Sequence, residues 1–269
     1  MRPVPVRSAA VRTASASLLP ALLALALLPL AAQAERRCEH SQPRELELDL
    51  AGVKAVVFET GSDDLHIVGA PGARAEVRGK ACASSAADLA GLRLSQRRAG
   101  DKLIVRAEHE PHLSLSFNRY AYLQLHATVP EATRVQVKTG SGDVDVKQVA
   151  ALSIDVGSGD VKARDVRGLT VADVGSGDVD LDRIGALQLI SLGSGDLLAR
   201  GIGGDAKLGS VGSGDIALER VAGSVTLDRI GSGDLEVRDV RGDLQVRSIG
   251  SGSVKHAGVA GRVDIPKDD

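Results

Sequence analysis

The chain has 269 residues, a formal net charge of −2 and very few aromatic side chains, with two Phe, two Tyr and no Trp. It contains no run of lysine or arginine, which argues against a nucleic-acid partner. The only long apolar stretch lies near the N-terminus, so we expect no transmembrane segment once that stretch is removed.

The first 34 residues have the pattern of an export signal. Three arginines among the first twelve residues form a basic start, residues 18–32 are apolar, and Ala32-Gln33-Ala34 is a small-x-small cleavage site. The apolar run is shorter than the roughly 20 residues that span a bilayer. We therefore expect residues 1–34 to be a signal peptide and the mature chain to be exported. Its net charge is then about −5, from 30 basic and 35 acidic residues.

Two cysteines, Cys38 and Cys82, lie in the exported part. An even number of cysteines in an oxidising compartment predicts one disulfide between them. Such a bond closes a loop of about 45 residues and is worth roughly 4 kcal/mol in the chain-entropy model.

Residues 35–134 have the pattern of an irregular, β-rich head. Alternating apolar and polar residues predict half-buried strands, while Ala86–Leu94 favours a short helix. The predicted strands are Arg44–Leu50, Val53–Glu59, Asp64–Val68, Arg74–Gly79, Lys102–Ala107, His112–Phe117 and Tyr122–Val129. The phrase Gly61-Ser62-Asp63-Asp64 resembles the repeats that follow, and it suggests a degenerate early rung of the same stack.

Two clusters in the head have functional interpretations. His109 and His112 have a spacing that suits Zn²⁺ or Cu²⁺ on a turn, but Pro111 between them favours an exposed hairpin loop. Phe117, Arg119, Tyr120 and Tyr122 form the only aromatic cluster. They are either an exposed recognition patch or a small core under the head.

From Val135 onward one phrase recurs seven times at a nearly constant step, which lengthens slightly along the chain. The copies are Gly140-Ser141-Gly142-Asp143, Gly157-Ser158-Gly159-Asp160, Gly175-Ser176-Gly177-Asp178, Gly193-Ser194-Gly195-Asp196, Gly212-Ser213-Gly214-Asp215, Gly231-Ser232-Gly233-Asp234 and Gly250-Ser251-Gly252-Ser253. A fixed period of about 18 residues predicts a repeat architecture whose units bury their apolar faces against each other.

Aliphatic residues fall into five columns along the repeats, spaced largely by two residues, which is a strand period. The third and fourth columns are Leu152, Leu169, Leu187, Ala206, Val225, Leu244, Val263 and Ile154, Val171, Leu189, Leu208, Leu227, Val246, Ile265. One corner of each repeat is the Gly-Ser-Gly phrase, where glycine permits positive φ. The other lies near Gly168 and its equivalents, and the later repeats gain their extra residue there.

These patterns predict an all-β fold. A single-stranded parallel β-helix (β-solenoid) of about seven 17–19-residue rungs occupies residues 135–265, after the head and before a short tail of residues 266–269. Successive rungs lie about 4.8 Å apart. An outward column of alternating charge is expected to form ion pairs between rungs: Arg164, Asp182, Arg200, Glu219 and Arg238.

The Gly-Ser-Gly-Asp-aliphatic repeats, following a signal peptide and a β-rich head, resemble the bacterial exported "putative adhesin" family of unknown function. The resemblance covers roughly residues 45–265. It implies a β-solenoid and an exported location. The chain departs from surface adhesins in having no sorting signal or long stalk, so we expect a periplasmic location rather than the cell surface.

The aspartate column is the candidate metal site. In-register stacking puts Asp143, Asp160, Asp178, Asp196, Asp215 and Asp234 about 5 Å apart, close enough to repel. Bound Ca²⁺ would relieve this repulsion. However, the phrase occurs only once per rung, whereas calcium-binding nonapeptides recur at half that spacing, so half of the ligands would be missing. The structural alternative is that each carboxylate accepts hydrogen bonds from backbone N–H groups of its own corner.

The function predicted from these features is a non-catalytic interaction or scaffold module of the cell envelope, without a cofactor. Its partner is an unnamed protein or envelope polymer. The alternatives are a Ca²⁺-stabilised surface adhesin and a polysaccharide-degrading β-helix enzyme. Against an enzyme, the repeats are uniformly short, so no long loop is available to shape a cleft, and they contain no Phe, Tyr or Trp. No nucleophile-elbow or phosphate-loop motif is present.

Overall fold

The computed structural model describes residues 38–110 and 119–266. Within these ranges it contains 20 strands and one short helix, α1 (Ala86–Gly91). The strands are β1 (His40–Glu47), β2 (Ala55–Gly61), β3 (Asp64–Ala70), β4 (Glu76–Ala83), β5 (Leu92–Ala99), β6 (Lys102–His109), β7 (Ala121–Pro130), β8 (Arg134–Thr139), β9 (Val144–Lys147), β10 (Ala151–Val156), β11 (Val161–Val174), β12 (Val179–Leu192), β13 (Leu197–Ile202), β14 (Ala206–Val211), β15 (Ile216–Val221), β16 (Val225–Ile230), β17 (Leu235–Val240), β18 (Leu244–Val246), β19 (Val254–Val259) and β20 (Val263–Asp264).

The strands form two ladders, and each rung is one passage through sheet 1, a Gly-Ser-Gly corner and sheet 2. Sheet 1 runs β5, β6, β2, β8, β10, the second half of β11, the second half of β12, β14, β16, β18 and β20. Sheet 2 runs β1, β4, β7, β3, β9, the first half of β11, the first half of β12, β13, β15, β17 and β19. From β6 and β7 onward every pairing is parallel, as predicted for a β-solenoid.

The inward columns of the two sheets form one continuous aliphatic core. Leu181, Leu189 and Leu218, for example, are at most 1% exposed. Each inward side chain is covered by the equivalent side chain of the next rung, because the strand period of two keeps every second residue on the same face. Stacking therefore supplies the burial that no single rung could achieve alone.

The inward assignment made from the sequence is wrong in one rung. Leu169 and Val171 point outward, and Thr170 and Ala172 take the core positions, each with 0% exposure. Val174, next to the Gly-Ser-Gly corner, points into the core. Since inward and outward side chains alternate along a strand, the residues two and four positions before it, Ala172 and Thr170, also point inward. Leu169 is consequently 41% exposed.

Two single-residue insertions make the later rungs longer than the first. Equivalent aspartates are separated by 17 positions at the start of the repeats and by 19 further on. One residue is added at the second corner, as the sequence predicts, and the longest rungs have this insertion. Another is added within sheet 1, where the register shifts between Ala172 and Asp173 and Ile190 bulges outward with 49% exposure. A bulge of this kind adds one residue without turning the core face around.

The N-terminal region enters the same stack out of sequence order. Strand β2 lies between β6 and β8, and β3 lies between β7 and β9. The Gly61 corner therefore stacks directly under the first repeat, with the Gly140 N–H donating to the Gly61 carbonyl at 2.5 Å. The early rung suggested by Gly61-Ser62-Asp63-Asp64 is present, and the hydrogen-bond ladders continue unbroken past residue 134.

Side chains from β1 and β5 close the N-terminal end of the stack. Arg44 donates to the carbonyl oxygens of Leu89 and Leu92, and Arg98 reaches the carbonyl of Ala51. The predicted helix is shorter than expected: it ends at Gly91, because Leu92 begins β5 and is buried in the core.

Candidate functional site

The predicted aspartate column is a hydrogen-bonded ladder along one edge of the solenoid. Each carboxylate Oδ1 accepts the backbone N–H of the aspartate one rung further on, at 2.8–3.1 Å within the repeats. The ladder begins at Asp64 and ends at Ser253, whose N–H and hydroxyl both donate to Asp234. Those two bonds hold the pKa of Asp234 below its ordinary value.

The N–H group that donates to each aspartate of the ladder is not the one predicted from the sequence. The sequence predicts that each carboxylate accepts N–H groups of its own corner, whereas the N–H comes from the neighbouring rung. Charge-assisted hydrogen bonds to backbone N–H groups favour the ionised carboxylate. The ladder thus offsets repulsion between stacked aspartates and also links successive rungs at the corner.

The corner glycines are required for a different reason than the one predicted. Among the Gly-Ser-Gly phrases of the repeats, no glycine has positive φ. Instead, a Cβ on Gly159, Gly177 or Gly195 would lie less than 3.0 Å from backbone atoms of the corner beneath it. Only a residue without a side chain lets consecutive corners approach at the rung spacing.

Positive φ occurs in a separate column, which was not predicted from the sequence. One residue in each rung, immediately before the second core column, is left-handed, with φ from 54° to 72°. The column is Gln148, Asp165, Arg183, Gly201, Arg220, Asp239 and Gly258. Only two members are glycine, so composition gave no signal. Arg183 binds both carboxylate oxygens of Asp165, which lowers the pKa of Asp165.

A second, shorter ladder lies at the opposite corner. Asp205 Oδ1 accepts the Ser224 N–H at 3.0 Å, Ser224 Oγ accepts the Asp243 N–H at 3.1 Å, and Asp243 Oδ1 accepts the Arg262 N–H at 2.7 Å. This ladder was not predicted from the sequence, because its members alternate between Asp and Ser. Short oxygen-bearing side chains at one height are the signal that could have revealed it.

The lateral faces carry columns of outward side chains held in register. Arg164, Asp182, Arg200, Glu219 and Arg238 are consecutive neighbours across sheet 2, as predicted. Glu219 and Arg238 lie 3.8 Å apart, while Arg200 pairs diagonally with Asp180 at 2.8 Å. Both pairs are partly open to solvent, which screens them, so each contributes about 0–1 kcal/mol.

The predicted disulfide is confirmed. Cys38 and Cys82 are bonded, and their Cα atoms are 5.3 Å apart. The bond ties the start of the described chain to β4, which lies next to β7 in sheet 2. It stabilises a region that the uniform repeat ladders do not reach.

His109 of the predicted ligand cluster contacts a buried carboxylate. Asp63 is 0% exposed. Its Oδ1 accepts the Leu123 N–H at 2.7 Å, and its Oδ2 is hydrogen-bonded to His109 Nε2, also at 2.7 Å. The hydrogen bond that His109 donates to the Asp63 carboxylate raises the pKa of His109. His112 lies outside the described residues.

The predicted recognition patch is only partly within the described residues. Phe117 lies outside them. Arg119 pairs with the nearly buried Asp88 of α1, and Tyr120 Oη accepts the Glu39 N–H at 3.0 Å. The rings of Tyr120 and Tyr122 are half-buried, with centroids 6.1 Å apart. Their role in recognition stays a prediction.

Preassembled metal sites and membrane-spanning helices are absent from residues 38–110 and 119–266. In these ranges no three His, Cys, Asp or Glu side chains are grouped to hold an ion. No helix there has the length and apolar character needed to cross a bilayer. Calcium binding by the aspartate ladder remains a prediction.

Comparison with known proteins identifies the family. The model of the Toastrack DUF4097 family matches residues 45–265. A search among curated proteins finds no match.

Several solved structures resemble the chain at low sequence identity. A "putative lipid binding protein" from Parabacteroides distasonis is 17% identical, with a TM-score of 0.46, and the match covers 81% of this chain and 97% of that one. A "putative adhesin" from Bacteroides fragilis is 16% identical, with a TM-score of 0.40 and coverage of 84% and 97%. A "putative cell adhesion protein" from Clostridium sporogenes is 11% identical, with a TM-score of 0.36 and coverage of 83% and 100%.

Proposed function

Because the chain belongs to the Toastrack DUF4097 family and stacks its rungs without a register shift from β12 onward, we propose that it is an exported, adhesin-like interaction module of the bacterial cell envelope. It binds a protein or an envelope polymer through its lateral faces and carries out no covalent chemistry. The observation that carries this proposal is the register itself, which presents the same outward positions at a fixed spacing along both sheets.

The disulfide between Cys38 and Cys82 supports export, since such bonds form and persist in oxidising compartments. The proposed location is the periplasm. Protease added to intact cells should leave the protein uncut, and digestion should require disruption of the envelope. Digestion on intact cells would contradict the periplasmic location and favour the surface-adhesin alternative.

Both faces offer columns of outward side chains suited to an extended partner, mainly polar on sheet 1 and mixed apolar and charged on sheet 2. On sheet 1 the outward positions Gln188, Lys207, Thr226 and Gln245 are neighbours in register. On sheet 2 the corresponding central column contains Leu198, Ala217 and Glu236. A rigid array of this kind contributes to binding by avoiding the entropic cost of ordering a flexible surface.

The test is cosedimentation of the purified mature protein with envelope fractions and with purified cell-wall polymer. Two variants of opposite faces serve as mutual controls: Lys207→Glu with Thr226→Arg on sheet 1, and Leu198→Glu with Ala217→Arg on sheet 2. Loss of sedimentation for one variant only is the expected result. Absence of sedimentation, or equal binding by both variants, would contradict the proposal, and turnover abolished by Asp178→Asn would favour an enzyme.

A further inference from the structure

Two histidines lie side by side on the outward face of sheet 2, away from the aspartate ladder. His66 of β3 and His126 of β7 are direct partners in the parallel register. Their rings are stacked, with centroids 5.0 Å apart and planes 10° from parallel. Neither residue was singled out from the sequence, because they are 60 positions apart and only the out-of-order entry of β3 into the stack makes them neighbours.

A carboxylate lies on the other side of His66. Asp145 of β9 is its register partner, and Asp145 Oδ2 lies 3.9 Å from His66 Nδ1. The separation is too long for a hydrogen bond, but the carboxylate lies on the side where a modest shift would let it accept Nδ1–H, which leaves the lone pair of His66 on Nε2. A carboxylate beside the far nitrogen of a histidine is the usual arrangement around metal-binding imidazoles.

Asp145 also carries an unsatisfied atom. Its Oδ1 is buried and has no hydrogen-bond partner, while Oδ2 lies 3.2 Å from Lys147 Nζ. A buried carboxylate oxygen without a partner is costly. His66 approaches the other oxygen, Oδ2, so a ring held by an ion would give the carboxylate a second partner at Oδ2 and would leave Oδ1 as it is.

We propose that His66 and His126 form a two-imidazole site for a borderline divalent transition-metal ion such as Zn²⁺ or Cu²⁺. The two Nε2 atoms are the protein ligands, Asp145 orients the His66 ring, and water completes the coordination. Neutral imidazole is a preferred ligand of these ions. Binding requires the two stacked rings to tilt toward each other, which their exposure permits; the His66 side chain is 51% exposed.

Charged side chains surround His66 and His126 on the outward face of the neighbouring strands. They are Asp64 on β3, Glu76, Arg78 and Lys80 on β4, and Asp145 and Lys147 on β9. Protons compete with the metal for the imidazole nitrogens, so metal affinity should be lower in acidic solution.

The test is calorimetric titration of tag-free mature protein with Zn²⁺ at pH 7.5. The expected result is one site per chain, weakened at least tenfold by His66→Gln and by His126→Gln, and weakened less by Asp145→Asn. The matched control is His256→Gln, an exposed histidine in the last rung, which should bind like the wild type. The melting temperature of each variant without metal checks that it is folded.

Wild-type protein provides an independent readout. Substoichiometric Cu²⁺ should broaden the ring NMR signals of His66 and His126 before those of His40 and His256. Undetectable Zn²⁺ binding, unchanged binding in both histidine variants, or preferential broadening at His40 or His256 would overturn the proposal.

Discussion

The repeat region from Arg134 onward and the N-terminal region before it build the same two sheets in different ways. In the repeats, each contact recurs one rung later, as in the aspartate ladder and the inward columns. In the N-terminal region the contacts occur once: a disulfide, the Asp63–His109 pair and the Asp88–Arg119 pair. The repeats are therefore stabilised by many similar contacts that each contribute a small amount of free energy. The N-terminal region depends on a few specific contacts.

This difference predicts where single substitutions matter. A change in the repeats removes one of several equivalent contacts unless it disturbs the core or the close approach of the rungs. A change to a buried polar group of the N-terminal region removes a contact that nothing else duplicates. The following substitutions test this contrast, from the largest expected effect to the smallest.

Replacing Leu189 by Asp should have the largest effect. Leu189 is 1% exposed in the inward column, so the new carboxylate has no partner and should lower the free energy of unfolding by about 4 kcal/mol or more. The control is Ile190→Asp at the next residue, which bulges outward and is 49% exposed; its effect should be within about 0.5 kcal/mol. Urea denaturation of both variants measures the difference, and similar losses would contradict the inward assignment.

Replacing Gly195 by Ala tests why the corners contain glycine. The new Cβ would lie less than 3.0 Å from the backbone of Gly177, which cannot move without shifting a whole rung. We expect a loss of about 3 kcal/mol. Gly201→Ala is the matched control, since its Cβ has at least 3.6 Å of space and the cost is only that of the left-handed φ of 72°, about 1 kcal/mol. A larger loss at Gly201 than at Gly195 would contradict close approach of the rungs as the reason why the corners contain glycine.

The repeats were largely predictable from the sequence, and the N-terminal region was not. A column of aliphatic residues at every turn fixes which side chains meet, so the solenoid and the aligned charge column at Arg164 to Arg238 follow from spacing alone. Even in the repeats, Leu169 was wrongly predicted to point into the core. The pattern of apolar residues does not show whether the extra residue of a longer rung lies at the second corner or within the strand of sheet 1.

In the N-terminal region, contacts depend on the order in which strands enter the stack. Neither the pairing of His66 with His126 nor that of Asp63 with His109 can be derived from spacing, because β6 and β7 pass to the far side of β2 and β3. The disulfide was predictable only because two cysteines allow one pairing. The aspartate ladder was predictable as a column, but its donors required the three-dimensional offset between rungs.

Replacing His109 by Ala tests a contact that occurs once. Asp63 would keep the Leu123 N–H but lose its other partner, at a cost of about 1.5–3 kcal/mol for a hydrogen bond to a charged group. The pKa of His109 is raised in the folded protein, so its charge adds stability that is complete below the unfolded pKa, about 6.5, and is lost as the pH rises through the folded value.

The destabilisation by His109→Ala should therefore be greater at pH 5.5 than at pH 9. Chemical denaturation at both pH values measures it, with His40→Ala on the exposed strand β1 as the control. An equal loss at the two pH values would mean that the interaction does not depend on the charge of His109.

Replacing Asp178 should have the smallest effect, because the repeats duplicate its contact. Asp178→Ala removes the acceptor for the Asp196 N–H at 2.9 Å and should cost about 1 kcal/mol. Asp178→Asn keeps an oxygen in the same place, so it should cost less than about 0.5 kcal/mol and also reduce repulsion along the column. The aspartates serve either as hydrogen-bond acceptors between rungs or as ligands of Ca²⁺. Measuring the melting temperature of wild type and variants with added Ca²⁺ and with chelator distinguishes these two roles. If Asn destabilises as much as Ala, and chelator lowers the melting temperature of the wild type only, the carboxylate charge serves a bound cation rather than the neighbouring rung.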